Sequence, residues 1–496
     1  MAKVLDQAAR LTDEFVRAMP KALRKSYGQF FTGKETAEFM AGLFSISSDQ
    51  SEVSLLDPGA GSGLLSVALL ERLEKESSVD HIHLTCYETD VHILPLLRNN
   101  LELACASLSV KITYTIKTEN YITSQASTYN DLLSSHHGMA RYDMVICNPP
   151  YMKVSKNAPE ARAMPDVCYG APNLYFLFAA MGLSNLRDDG EMVYIIPRSW
   201  TSGAYFKAFR RSLLTHGVIE HIHLFGSRSK VFDGDSVLQE TMIIKLRKTQ
   251  NKGKHVTVTY TKTNKDFVNV CSYKVLYNHI VRGPDYYIYL ITNKKEDDVV
   301  GKLSKLKHTL KDFGLVMKTG LTVDFREKDL LRQKAGTDTV PLFFPCHIRH
   351  GRVVFPLGCD NEYISNQKKA LTQPNVNYLF VKRFTAKEEV RRLQCAVYLA
   401  RKYPEHERIS TQNKINFIAG LKGLSECVVY GLFVLFNSSL YDAYYRILNG
   451  STQVNSTEIN NLPVPDISTI EAMGRKLISR KDMSEEVCNE IIKDYL

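Results

Sequence analysis

Between Leu55 and Lys245, short β-rich runs alternate with segments of helical periodicity, and no other feature of this 496-residue sequence restricts the fold so tightly. VSLLDPG, HIHLTCYETD, VKITYTI, YDMVICNPP, GEMVYIIP and VIEHIHLF read as strands. LLSVALLERLEK, ILPLLRNNLELAC and PNLYFLFAAMGLSNLR read as helices between them. Such alternation predicts an α/β domain, a mostly parallel sheet with helices on both faces. Ligands of these sheets sit beyond the carboxyl ends of the strands, near the point where strand order reverses. The residues that follow each strand are therefore the candidate site residues.

Near residues 290–310 the rhythm ends. ITNKKEDDVVGKLSKLKHTLKDFG reads as a charged helical link. Beyond it, short strands (VPLFFPCHIRHGRVVFP), a basic helix and a polar, aromatic stretch predict a second domain of mixed α+β type. The expected division is 1–295 and 296–496, each within the ordinary size range of a domain. A net charge of +10 fits a polyanionic partner without requiring one. No apolar run has the length of a membrane span. The first segment, MAKVLDQAARLTDEFVRAMPKAL, mixes acids and bases through its apolar positions, unlike a signal peptide. Ten cysteines without a C-x-x-C pair point to reduced thiols and away from structural zinc. These features predict a cytoplasmic protein with no membrane association.

In LLDPGAGSG, Asp57 ends the first strand and Gly59, Gly61 and Gly63 follow as G-x-G-x-G. Backbone without β-carbons lets a nucleotide-like ligand approach closely. The dinucleotide spacing G-x-G-x-x-G instead aims a helix N-terminus at a pyrophosphate. An acid before the loop suits a cationic ammonium and would repel a pyrophosphate, and the spacing resembles that of S-adenosylmethionine (SAM) methyltransferases. The next strand ends CYETD. Glu88, one helix and one strand after Asp57, can accept from both hydroxyls of a ribose. Asp90 is the alternative, and a solvated acidic turn is the plainer reading of either acid alone. Upstream, YGQFFTGKETAEFM leads into a helix with Thr32 as its expected N-cap and Glu35 completing a capping box. Free amides at such a helix start also suit the ligand's carboxylate.

The strand MVIC runs into Asn148-Pro149-Pro150-Tyr151. Two successive prolines stop a strand and stiffen the turn that follows. An exocyclic amine conjugated to a ring is a poor nucleophile because its lone pair is delocalised. The Asn148 side-chain oxygen and the Pro149 carbonyl can each accept one of its N–H bonds, drawing the nitrogen toward tetrahedral geometry for attack on a sulfonium methyl. Positioning then supplies most of the acceleration. Tyr151 offers a ring face to a planar substrate, worth about 1–3 kcal/mol for a base.

With these motifs in this order, nearly the whole chain resembles the amino-methyltransferases of bacterial restriction–modification systems. The resemblance is to the type II, gamma-class N6-adenine DNA methyltransferases with N-P-P-Y. It implies a Rossmann-like SAM-dependent methyltransferase domain followed by a DNA-recognition domain. The implied activity is site-specific methylation of an adenine flipped out of duplex DNA. It further implies double-stranded DNA and a separate restriction endonuclease as partners, action as a monomer on DNA, and no metal. By motif, Thr32, Asp57, Glu88 and Phe178 would contact SAM, Phe178 by packing on its adenine, while Asn148, Pro149 and Tyr151 would hold the target adenine. The sequence departs from the family at Thr32-Gly33, where Thr-Pro is usual. It departs again at Glu119-Asn120-Tyr121, where an Asp is usual, so either Glu119 or Asn120 inherits that cofactor contact. Tyr273 is the candidate for a second base-stacking aromatic, with core packing as its plainer role.

The segment FVKRFTAKEEVRRLQCAVYLARKY concentrates Lys382, Arg383, Lys387, Arg391, Arg392, Arg401 and Lys402. Phosphate contacts are expected from it, above all from Lys382, Arg383, Arg391 and Arg392. A solvated basic helix balanced by Glu388 and Glu389 is the plain alternative. LFNSSLYDAYYRILNGSTQVNSTEINNLPVP resembles the end of a recognition domain, and its polar side chains can bond base edges or fill loops. Other amine substrates remain open, because N-P-P-Y also serves enzymes acting on a protein glutamine amide or on guanine in ribosomal RNA. N4-cytosine is a further option, although its motif usually begins with Ser. The long C-terminal part favours DNA. A C5-cytosine enzyme needs a Pro-Cys nucleophile, but Pro345-Cys346 lies in the second domain and Cys346 reads as a core residue.

Overall fold

Leu55, Leu56 and Asp57 are fully enclosed because β1 (Glu52–Asp57) runs between two parallel neighbours, β2 (His81–Tyr87) and β4 (Tyr142–Cys147). The sheet they belong to is completed by β3 (Lys111–Lys117), β5 (Leu186–Pro197), β6 (Val218–Phe225), β7 (Thr241–Arg247), β8 (His255–Thr261) and β9 (Cys271–Leu276). Its order is β3-β2-β1-β4-β5-β7-β6-β8-β9. The first five strands of that order are parallel, while β7 is antiparallel to both β5 and β6. The computed structural model describes residues 3–18, 31–46, 50–76, 78–132, 141–226, 240–386, 389–421, 423–449 and 452–496. Residues 27–30, Lys387 and Glu388, all singled out above, lie outside the described residues.

All six expected strands are present, and so are the three helices, at Leu64–Glu76, Leu94–Ser107 and Leu174–Asn185. β5 is buried without interruption from Gly190 to Pro197, the pattern of a strand covered on both faces. β3, at the edge, alternates instead between exposed and half-buried residues. The strand order reverses at β1 and β4, so the ends of these two strands, Asp57 and Cys147, open onto the crevice where such sheets bind ligands.

The chain divides into two compact units, Met1–Thr201 with Tyr205–Thr292, and Ser202–Ala204 with Asn293–Leu496. The expected helical link is a helix from Lys294 to Leu303, capped by the Asn293 side chain accepting from the Glu296 amide at 3.1 Å. The second unit has a six-stranded and a five-stranded sheet and a set of C-terminal helices. Its core is aromatic, with Phe343, Phe380, Tyr398 and Phe417 buried together. Helices Glu426–Asn437 and Ile467–Arg480 cross so closely that a β-carbon on Gly431 would run into the Ile470 carbonyl oxygen. Among the described residues, no helix is long and apolar enough to cross a membrane.

Several expectations for this unit are corrected. The segment read as a basic helix holds parts of two strands instead, Tyr378–Lys382 and Cys395–Tyr398. Arg392 is fully buried, its Nε donating to Thr385 Oγ1 at 3.2 Å and its guanidinium lying 5.8 Å from the Tyr445 ring centre, so it cannot meet a phosphate. Arg391 is mostly buried as well, ion-paired to Glu485 at 2.8 Å and bonded to the carbonyls of Phe436 and Ser438. In the polar, aromatic stretch, Tyr441, Tyr444, Tyr445 and Asn449 are core residues. Cys346, read as core, is exposed.

Candidate active site

The glycine loop closes over the end of β1. The Ala60 amide donates to the Tyr87 carbonyl at 3.0 Å and the Gly63 amide to the Ala60 carbonyl at 2.8 Å, tying the loop to β2 and to itself. Gly61 and Gly63 have φ of +54° and +79°, backbone that costs a side-chain-bearing residue energy. Their purposes differ. A β-carbon on Gly61 would meet nothing within 4 Å, because the position opens into a cavity. A β-carbon on Gly63 would sit 2.7 Å from Leu97 Cδ1, so that glycine serves helix packing. Gly63 does not line the cavity, whereas Gly59 and Gly61 do.

Asp57 lies beneath this loop. Its Oδ2 accepts from Ser66 Oγ at 2.8 Å, joining the strand end to the following helix. It is completely buried, which pushes its carboxyl up to about 7 against the stabilising bond from Ser66. Asp57 does not line the cavity, and any pull it exerts on a ligand acts through the loop. Glu88 does line it, with Oε2 accepting from the Gly61 amide at 2.9 Å and Oε1 from the Asp90 amide at 2.8 Å. Burial raises the Glu88 carboxyl. A carboxylate has about four lone-pair positions, so these two bonds leave room for ribose hydroxyls.

The cavity, about 320 Å³, falls within the size range of small-ligand sites. Four carboxylates line it, from Glu88, Asp90, Glu119 and Glu160, with no Lys, Arg or His among its described lining residues. Such a surface fits a cation and repels phosphates. Phe178 is a partly exposed member of a mostly buried helix, and its ring lies 5.1 Å from that of Tyr121 beside the cavity. Acids for a sulfonium and an ammonium, an acid for a ribose, an open glycine and an aromatic wall together fit SAM. Of the Glu119–Asn120 pair, both line the cavity. Asn120 Oδ1 caps the next turn, accepting from the amides of Ile122 and Thr123 at 3.0 and 3.1 Å, while its Nδ2 donates to Glu160 Oε1 at 2.9 Å.

Asn148, Pro149 and Pro150 line the cavity at the end of β4. The Asn148 Nδ2 donates to Thr32 Oγ1 at 3.0 Å, which fixes the amide with its nitrogen toward Thr32. This corrects the capping expectation: the N-cap of helix Lys34–Gly42 is Gly33, without a side-chain bond, and the Thr32 hydroxyl serves Asn148 instead. Tyr151 does not line the cavity. Its hydroxyl donates to the Ile195 carbonyl at 2.9 Å, and its ring packs edge-on to Tyr175 at 6.3 Å against the core. Tyr273 sits on the edge strand β9, away from the cavity lining. Among the described residues, the side chains grouped closely enough to hold a metal are Glu52, His81 and His83, at the amino ends of β1 and β2 and so opposite the cavity.

The structure therefore brings together Thr32, Gly59, Gly61, Glu88, Asn120, Asn148, Pro149 and Phe178 around one cavity and leaves Asp57, Gly63 and Tyr151 out of its lining. Sequence reasoning missed Met152, Glu160 and Leu174 as lining residues. Leu174 was accessible from helical spacing, four residues before Phe178, whereas nothing local marks Glu160.

Residues 76–232 match the family described as Eco57I restriction-modification methylase. The chain is 33% identical over 489 residues to the type II methyltransferase M.PstI of Providencia stuartii, covering 96% of this chain and 94% of that protein. It is 34% identical over 464 residues to M.BsuBI of Bacillus subtilis, covering 92% and 91%. Among solved structures, the type IIL restriction–modification enzyme MmeI in complex with DNA shares the fold, with a TM-score of 0.51 at 11% identity over 99% of this chain and 75% of that one. Identity above 30% along almost the full length of both partners places this chain in the type II methyltransferases of restriction–modification systems.

Proposed function

We propose that the chain is a site-specific DNA methyltransferase that moves a methyl group from SAM to the N6 amine of an adenine in duplex DNA, protecting that DNA from a companion endonuclease. The observation that carries this reading is the Asn148 side chain, held through its nitrogen by Thr32 at the edge of the acid-lined cavity. An amide anchored at nitrogen presents its oxygen as an acceptor. Bound SAM supplies a methyl group made electrophilic by the adjoining sulfonium. Asn148 Oδ1 and the Pro149 carbonyl accept the two N–H bonds of the target amine, and the rigid Pro149-Pro150 turn keeps them in place. No strong base is needed, because the methylated nitrogen is acidic enough to lose its proton afterwards. The Tyr151 ring, pinned by its hydroxyl to Ile195, offers a fixed face for the extruded base. Glu88 holds the ribose of the donor and Phe178 its adenine, with Asn120 or Glu119 at the same end.

Residues 296–496 are the DNA-recognition domain in this reading, and the enzyme acts as a monomer in the cytoplasm. Incubation with SAM and plasmid DNA, nuclease digestion to nucleosides and mass spectrometry test it. N6-methyladenine at one sequence, located by single-molecule sequencing, is expected. N4-methylcytosine, or methylation of a release factor or ribosomal RNA in place of DNA, would overturn it.

A further inference from the structure

Several loops of the second unit are joined at one place by hydrogen bonds. The Asn413 amide donates to the Thr322 carbonyl at 2.8 Å, and Arg383 Nη1 donates to the Asn413 carbonyl at 3.0 Å. The Arg383 amide donates to the Lys414 carbonyl at 2.9 Å. On the other side of Arg383, the Val454 amide donates to its carbonyl at 2.7 Å, and the Thr385 amide donates to the Thr452 carbonyl at 3.1 Å. Residues 320–326, 382–385, 412–414 and 452–454 thus form one patch.

Two large aromatic side chains protrude from it, Phe325 at 66% exposure and Phe384 at 45%. Each carries an arginine over its ring, Arg326 at 5.6 Å and Arg383 at 5.3 Å. Scattered exposed apolar side chains are normal. Two aromatic–guanidinium pairs on hydrogen-bonded neighbouring loops are not scattered. The backbone on both sides of Phe384 is paired, so the ring is exposed on a rigid support. Lys382, Arg383, Arg326 and Lys414 outnumber the one acid of the patch, Asp324.

We propose that this patch contacts duplex DNA and that Phe384 inserts at a base step, stacking on the base that loses its neighbour when the target is extruded. A flat apolar face replaces the lost stacking, and the arginine beside it meets the phosphates flanking the opened step. The proposal rests on the reading that duplex DNA is the substrate. Where Lys382 and Arg383 add sequence-independent affinity, Phe384 acts on the opened state.

The test uses the full chain and a duplex bearing the methylated sequence, with 2-aminopurine in place of the target adenine. Phe384→Ala is expected to weaken binding roughly 10-fold and to abolish the fluorescence rise of unstacking. SAM affinity and the slope of binding against salt stay as in the wild type. Phe384→Trp retains both signals, while Arg383→Gln lowers the salt slope by about one unit. Wild-type affinity and fluorescence in Phe384→Ala overturn the insertion and leave the DNA substrate standing. Failure of the wild-type chain to bind the duplex would remove both.

Discussion

The Thr32 hydroxyl and the Asn148 amide are distant in sequence and 3.0 Å apart in the fold, and their bond decides which end of the amide can meet a substrate. The sequence pattern Thr-x-x-Glu describes a local cap equally well, so the sequence alone leaves Thr32 between a helix cap and a cofactor contact. A partner brought in by tertiary structure leaves no local trace. Asn148, Glu88 and the glycines were legible because position at a strand end, not side-chain geometry, marks them. Asp57 shows the limit of that rule, since it ends its strand yet lies beneath the loop. Its burial has a consequence for pH. With a carboxyl raised from 3.8 to about 7, Asp57 adds to stability below about pH 4, and that contribution is lost as pH rises through 7. A cation bound across the loop favours the ionised form and releases the proton. SAM binding is therefore expected to tighten between about pH 6 and 8, with a calorimetric heat that depends on the ionisation enthalpy of the buffer. Asp57→Asn should weaken both effects, leaving the part that comes from the raised carboxyl of Glu88, and a buffer-independent heat in the wild type would count against this account.

At the scale of elements, the parallel strands and their helices were readable because buried β-rich runs and helical periods alternate. β7 was not, since its antiparallel place between β5 and β6 is a matter of topology that TMIIKLR does not encode. The two strands within 378–398 are not legible in sequence because clustered Lys and Arg suggest a solvated helix. Here Val381, Cys395 and Val397 are buried in strands, and the buried Arg392 joins Thr385, Tyr445 and Asn449. Arg392 is therefore a structural residue. Arg392→Ala should destabilise the second unit by about 3 kcal/mol in denaturant, because it breaks a buried charged network. The salt dependence of DNA binding by the folded fraction should stay unchanged. A reduced slope with wild-type stability would return Arg392 to the phosphate-contacting set.

At the scale of the molecule, the division of labour follows from where chemistry-bearing residues fall. The first unit holds the acid-lined cavity and the Asn148 turn, and the second holds the basic, aromatic loop patch. In the proposed reading, methylation of duplex DNA draws on both, since an amine inside the helix is out of reach until its base is extruded. The central claim is that two oxygens at the end of β4 make that amine reactive. Its most direct measurement is the single-turnover rate of methyl transfer to duplex DNA by Asn148→Ala, alongside SAM affinity. The account predicts a fall on the order of 10³-fold with SAM affinity nearly unchanged. A rate within a few-fold of the wild type would contradict it.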